Sequence, residues 1–294
     1  MIYDLNKLDA GQSLSKKDFD VCIAGAGVAG TTLALKLSDF GQSVLLLEGG
    51  GKEFSSESQA LYAGKNIGVE YFDLDASRLR FFGGTSGHWA GWCRHLDADD
   101  FEAKDHIPYS GWPIRKTALD PYEDETYDIL DIPRRIGQDT VIPESNGMLK
   151  KFEMAYSPPT RFNEKYYEPI RKAQNIHLVL NANLVDIRLN DTGNRVLKFI
   201  CRSYATLDVD NFFSAKKFIL ALGGIENPRV LLNASKQMPT GIGNEKDLVG
   251  RFFCEHPHFQ LGIYWKRSPP KERIFFAPTV NFTNQEEIAN CGMR

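Results

Sequence analysis

Residues 19–48 read FDVCIAGAGVAGTTLALKLSDFGQSVLLLE. The opening run, DVCIAG at 20–25, is almost continuously apolar, as a strand buried on both faces of a parallel sheet should be. Val28, Ala29, Leu33, Ala34, Leu37 and Phe40 then recur at helical spacing. After Gly41 a second apolar strand, SVLLLE, completes a strand–helix–strand unit. Such a unit crosses over right-handed and demands a parallel sheet. Its first turn is Gly25-Ala-Gly27-Val-Ala-Gly30. Gly25 permits the tight exit from the strand, Gly27 lets backbone approach a pyrophosphate, and Gly30 allows close packing of helix on strand. The free N–H groups and positive dipole end of the helix then face the phosphates. Glu48 ends the second strand, 18 residues after Gly30. A carboxylate there accepts hydrogen bonds from ribose hydroxyls, and a 2′-phosphate would be repelled. The alternative readings are a glycine-rich turn in an unrelated α/β protein and a plain surface acid at 48. The strand before the glycines and the helix after them count against the first.

Outward from this unit the chain changes character. Residues 93–170 are rich in Asp, Pro and Tyr and read as loops with short helices over 117–130 and 161–174. A β-rich block follows: a strand over 177–189, a turn at 191–194 and a strand over 195–206, the pattern of a meander. Residues 217–221 form another buried-type strand, which ends in Gly223-Gly224 and leads into a helix over 225–234. The first 20 residues read as a polar arm without the apolar core of a signal peptide.

With 294 residues, 42% apolar and 25% charged, the composition is that of a globular protein of one large or two modest domains. The formal net charge of −3, with Lys and Arg scattered, carries no nucleic-acid footprint. No apolar run reaches the ~18 residues of a membrane span. Five widely spaced cysteines with no CxxC pair argue against a disulfide framework or a zinc site and fit a reducing cytoplasm.

The fingerprint alone does not choose between NAD and FAD. Two further glycine-rich segments do: Arg80-Phe-Phe-Gly83-Gly84-Thr85-Ser86-Gly87-His88-Trp89, and the late strand KFILALGG at 217–224. A simple NAD domain needs neither, whereas a flavin ring far from its adenine needs more backbone that can approach it closely. The fingerprint, GGTSGHW at 83–89, ALGGIENPRVLL at 221–232 and LVGRFFCEHP at 248–257 occur in the order of the glucose–methanol–choline family of FAD-dependent oxidoreductases, which the chain resembles over 19–257. CRHLDADDFE at 93–102, with SGWPI and LDPYE after it, resembles the bacterial members that act on sugars and related alcohols.

The resemblance implies roles residue by residue. Gly83, Gly84 and Thr85 would pass close to flavin and pyrophosphate, Val185 would meet the adenine through its backbone, and Ala221 and Gly223 would lie against the phosphate–ribose portion. His88 matches the Ser-x-His-Trp spacing of the pyranose-oxidase branch, whose histidine bonds covalently to the flavin methyl. The other reading is a non-covalent histidine, hydrogen-bonded near the ring or merely packed. The implied reaction is oxidation of a CH–OH group on a small-molecule alcohol or sugar, by hydride transfer to flavin N5, with oxygen or another electron acceptor downstream.

Other candidates read more plainly. Cys93 faces the flavin or, on the favoured reading, is an inert buried thiol. His256 and His258 share a strand face, but no carboxylate or Cys pattern completes a metal site, so a structural or cofactor-shell His256 is favoured. Trp89, Trp92 and Trp112 serve equally as sugar-stacking or core residues. In the family the catalytic His pair lies near the C-terminus. Nothing after Phe259 matches it, and residues 284–294 follow a strand-like stretch with no helix, cap or closing strand. The expectation is therefore an N-terminal portion without catalytic residues.

The expected architecture is α/β. A Rossmann-like FAD-binding domain, with parallel sheet, βαβ unit and meander, is built from 1–95 and 171–257. An incomplete α+β substrate domain is begun by 96–170 and 258–294. Two rival functions stand: another class of FAD-dependent dehydrogenase, and a non-catalytic FAD-binding or assembly subunit.

Overall fold

A computed structural model describes the chain except residues 8–10, 12, 135–138, 257, 258, 261, 263–274 and 294. The chain divides into two compact units, Met1–Trp89 with Arg161–His256, and Ala90–Thr160 with Pro257–Arg294.

The first unit is organised by β1 (Ile2–Asp4), β2 (Asp18–Ala24), α1 (Val28–Asp39), β3 (Val44–Leu47), β4 (Ile176–Leu180), β5 (Asn183–Leu189), β6 (Val196–Arg202), β7 (Asn211–Leu220) and α2 (Glu226–Asn233). The sheet order is β1-β4-β3-β2-β7-β6-β5. The pairs from β1 to β7 are parallel, and β7, β6 and β5 form an antiparallel meander. Strand alternation explains the continuous apolar runs. Val21, Ile23, Val44 and Leu46 enter the core on one face of the sheet, while Cys22, Ala24, Leu45 and Leu47 enter the core on the other.

Several expected elements shift for identifiable reasons. The run 177–189 is two strands, because Asn181 takes a left-handed φ of 58° and turns the chain between β4 and β5. Only the second joins the meander. The N-terminal arm contributes β1, which Leu178–Leu180 pair with in parallel. The helix expected over 117–130 is confined to Glu123–Leu130, preceded by two 3-10 turns, the second carrying Pro121. Residues 161–174 hold two short helices, Phe162–Lys165 and Tyr167–Lys172. Residues 161–170 belong to the first unit, because Phe162 and Arg161 bind the loop at Ser86.

In the second unit a small antiparallel sheet pairs Thr140–Val141, Leu149–Phe152 and Phe275–Pro278. A helix does follow that last strand. Val280–Gln285 is capped by Thr279, whose hydroxyl accepts from the Phe282 N–H at 3.4 Å, and Met293 bridges back to Phe276. Lys150 is buried in this unit, 2.7 Å from Asp97 and 2.9 Å from Asp139, and Arg94 contacts the same two carboxylates at 3.0 and 2.8 Å.

Candidate functional site

The carboxyl ends of β2, β3 and β7 lie side by side, the position at which open parallel sheets bind ligands. Gly25 leaves β2 with φ 100°. Its N–H donates to Leu47 O at 2.7 Å, and any Cβ there would sit 2.4 Å from Ala221 O. A Cβ on Gly30 would sit 1.8 Å from Gly25 O and 3.4 Å from Ala221 Cβ. The first and third glycines thus let α1 close onto β2 and β7. Gly27 is different. It is the N-cap of α1, and a Cβ there would meet no protein atom within 4 Å.

The second glycine loop lies against the first. Gly83 N–H donates to Ala26 O at 2.9 Å, and Gly84 packs so closely that its Cβ would be 3.3 Å from Gly27 Cα. Gly83 takes φ 92°, and a side chain there would strike Asn163 N at 2.5 Å. Ser86 locks the loop: its hydroxyl donates to Gly83 O at 2.8 Å and accepts from Phe162 N–H at 3.0 Å. Arg161 donates to Ser86 O at 2.6 Å and Trp89 O at 3.0 Å. Thr85 is exposed, its Oγ1 accepting from Leu79 N–H at 3.3 Å, and His88 is exposed at the end of the 3-10 turn Gly84–Gly87.

Glu48 is buried directly after β3. Its carboxylate accepts from Ala26 N–H at 3.0 Å and Gly50 N–H at 2.8 Å. Burial holds its pKa above the ordinary carboxylate range, against those two bonds and the charge of Arg80. A carboxylate has about four acceptor positions, so a ribose still finds free lone pairs. Glu48 O accepts from Ala182 N–H at 2.8 Å, which ties this turn to the start of β5. Three residues on, Val185 stands half-exposed between the pairs Leu184–Cys201 and Asp186–Ile200, at a bulge on the edge strand. Ala221 N–H continues the β2–β7 ladder to Ala24 O at 2.8 Å. Beyond it Gly223 is exposed, and a Cβ there too would meet no protein atom within 4 Å.

All eleven residues singled out from the sequence therefore lie in the first unit. Gly25, Gly27, Gly30, Gly83, Gly84 and Ala221 form one contact cluster, with Glu48 bonded beneath it and Gly223 at its edge. The other candidates part from it. Cys93 packs in the second unit against the cluster of Tyr127, Ile132 and Ala155, and burial raises its thiol pKa. His256 is exposed beside Glu255 at 3.4 Å, and His258 lies outside the described residues. Trp92 packs edge-on against Tyr156 and Phe275, and Trp112 is largely exposed against Phe101.

Sequence reasoning passed over Arg80. It is buried, and its Nη1 donates to Gly49 O at 2.8 Å and Ser58 Oγ at 2.7 Å, while Nη2 donates to Asn183 Oδ1. Burial lowers its pKa, against the pull of Glu48. The available signal was Gly49-Gly50. A Cβ on Gly49 would sit 2.4 Å from Arg80 Nη2, and one on Gly50 2.2 Å from Arg80 O.

A dinucleotide fits these residues. Gly27 and Gly223 leave open approaches at the ends of neighbouring strands, and the N-terminus of α1 supplies the positive dipole end for phosphate. Beside Gly83, Asn163 Oδ1 is buried without a protein hydrogen bond, an acceptor that a hydroxyl-bearing ligand would satisfy.

No family model matches the chain. Among curated proteins it is 26% identical to the fructose dehydrogenase large subunit of Gluconobacter japonicus, over 85% of this chain and 60% of the other. Among solved structures it matches an FAD-dependent oxidoreductase from Chaetomium thermophilum with TM-score 0.50 and 16% identity, over 73% of this chain and 47% of the other. Pyridoxine 4-oxidase from Mesorbium loti gives TM-score 0.47 at 16% identity, over 73% of this chain and 51% of the other. The chain thus spans 60% of the curated relative and about half of these solved structures. The paired glycine loops and the similarity to this relative agree with the resemblance of the sequence to the glucose–methanol–choline family of flavin-dependent oxidoreductases.

Proposed function

We propose that this chain supplies the FAD-binding portion of an enzyme that oxidises a CH–OH group of a sugar or other alcohol. The observation that carries the reading is the abutment of Gly27 and Gly84, above a buried carboxylate at the ends of parallel strands. Gly27 and the N-terminus of α1 would hold the pyrophosphate, Glu48 the adenosine ribose, and the Val185 backbone the adenine. Gly83, Gly84 and Thr85 would bring backbone against the ring side, with Ser86, Phe162 and Arg161 keeping that loop in place. When bound, FAD accepts the carbinol hydride at its N5. We assign no catalytic base in this chain. The relative's designation as a large subunit supports a partner subunit for this chain as well. Five unpaired cysteines support a reducing, cytoplasmic setting.

The test has three readings. The purified chain should bind FAD with quenching of flavin fluorescence, and no binding would remove the reading. Acid precipitation then reports on His88: yellow colour in the pellet means a covalent link, and colour in the supernatant means none. An alcohol and sugar panel with an artificial electron acceptor, run on the longest natural product of the reading frame, identifies the substrate. Turnover of none of them, with FAD bound, would favour an assembly subunit instead.

A further inference from the structure

Arg80 touches three separate parts of the adenosine end. Besides Gly49 O, Ser58 Oγ and Asn183 Oδ1, its own N–H donates to Gln59 Oε1 at 2.9 Å, and Gln59 Nε2 reaches back to Arg78 O at 2.7 Å. Its guanidinium carbon stands 5.5 Å from the centre of the Tyr62 ring. The arrangement exceeds what folding the loop requires. Gly49 and Gly50 both give up side chains to it, and Asn183 leads directly to the Val185 bulge. We propose that Arg80 is a positioning residue for ribose recognition: its fork fixes the Glu48–Gly50 turn against Asn183, and its charge favours the carboxylate form of Glu48 over the uncharged one. This rests on the reading of the site as one for FAD.

The surroundings of Glu48 leave that task to Arg80. The groups facing it are the Ala26, Gly49 and Gly50 N–H donors, the Arg80 guanidinium and the Tyr62 phenol. Burial pushes the Tyr62 phenol up to about 12, so it stays neutral and brings no counter-charge. The further charges, Arg78 and Arg229, are both engaged with Glu226 at the start of α2, with Arg78 2.7 Å away. Burial opposes ionisation of Glu48. With Arg80 removed, the proton would be taken up at a higher pH, and an uncharged carboxyl accepts more weakly from ribose hydroxyls.

The experiment is an FAD titration of the full chain by flavin fluorescence from about pH 5.5 to pH 8.5, on wild type, Arg80→Met, Arg80→Lys and Arg80→Met with Glu48→Gln. The wild-type Kd should vary less with pH than that of Arg80→Met. Arg80→Met should weaken binding about tenfold at the alkaline end and by a further factor of about ten at the acid end. Arg80→Lys keeps the charge without the fork, so its Kd should be weaker yet no steeper with pH than that of wild type. The double variant should lose the pH dependence, since no carboxyl remains to titrate. A loss in Arg80→Met that is the same at every pH, or an Arg80→Lys profile sloping like Arg80→Met, would overturn the proposal. If Arg80→Met does not fold, Arg80→Lys decides: weaker binding with the pH profile of wild type supports the assignment, and unchanged affinity overturns it. Wild type that folds without binding FAD at any pH would sink the FAD reading itself, a result distinct from these.

Discussion

The first unit around Glu48 and the second unit around Lys150 both bury charge, and their groups respond in opposite directions. In the second unit burial pushes Lys150 and Arg94 toward neutrality, but Asp97 and Asp139 outweigh it and both pKa values rise. Asp139 moves the complementary way: burial raises it, the two cations outweigh that, and its pKa falls. Two cations meet two anions, and the shifts of Lys150, Arg94 and Asp139 all favour their charged forms. In the first unit burial wins on both sides. Glu48 is raised despite Arg80 and three backbone N–H donors, and Arg80 is lowered despite Glu48. A cluster that has neutralised itself keeps no polar capacity for a ligand. One in which desolvation still exceeds its partners does, and such groups concentrate where ligands bind.

The strongest way to break the contrast is to move the scaffold that carries Glu48. Gly30→Ala drives a methyl to 1.8 Å from Gly25 O, which is backbone and cannot rotate away. The expected loss is at least about 3 kcal/mol, read as the urea midpoint, with FAD binding lost alongside. A midpoint near wild type would show that the loop can shift at little cost. Next in size is Lys150→Met, which leaves Asp97 and Asp139 to share Arg94. Since both carboxylates are partly exposed, the cost should be about 2 kcal/mol at neutral pH. Asp139 has a depressed folded pKa, so its contribution is full above the unfolded value of about 3.9 and disappears as pH falls through the folded one. The wild-type and variant stabilities should therefore converge as the pH is lowered through that folded value. A constant gap down to that pH would show that the lost stability was packing.

How far the sequence carries depends on whether an element makes its own signal. The βαβ unit does: apolar runs, helical spacing and glycines are local, and the structure places β2, α1 and β3 within two residues of the expected bounds. β1 does not, since three residues become a strand only through pairing with Leu178–Leu180. Residues 161–170 were beyond local reading because Phe162 finds its partner in Ser86, 76 positions away. Within the site the glycines and Glu48 were legible from motif chemistry. Arg80 was not, because a lone arginine in a loop carries no period; its trace in the sequence is the Gly49-Gly50 pair that makes room for it.

His177 sharpens the comparison from another side, as a buried base with no counter-charge. It lies on β4, stacked on Tyr3 at 5.7 Å and edge-on to Phe19 at 5.2 Å, with Nδ1 unpartnered. Burial, reinforced by Lys17, lowers its pKa to about 4. The sign follows from a depressed base. The unfolded chain takes the proton near pH 6.5 while the folded chain refuses it until about pH 4, so stability is full above about pH 6.5 and falls between those values. The ceiling is about 3 kcal/mol, and partial access of water to the strand end brings the expected loss to about 2. His177→Phe should flatten that stretch of the stability profile. A profile that still falls by the same amount would place the acid sensitivity elsewhere.

The smallest effect on stability is expected where the effect on binding is large. Gly27 has φ −75°, which alanine adopts freely, and its Cβ would touch no protein atom within 4 Å. Gly27→Ala should therefore change the urea midpoint by less than about 0.5 kcal/mol. The same methyl projects where a pyrophosphate must approach the start of α1, so FAD affinity should fall at least about tenfold. Gly30→Ala and Gly27→Ala, three residues apart on one turn, then separate what the fingerprint does for the fold from what it does for the ligand. Wild-type affinity in Gly27→Ala would mean that the phosphates do not pass over this glycine, and the cradle would have to be sought at Gly223 and Gly224 instead.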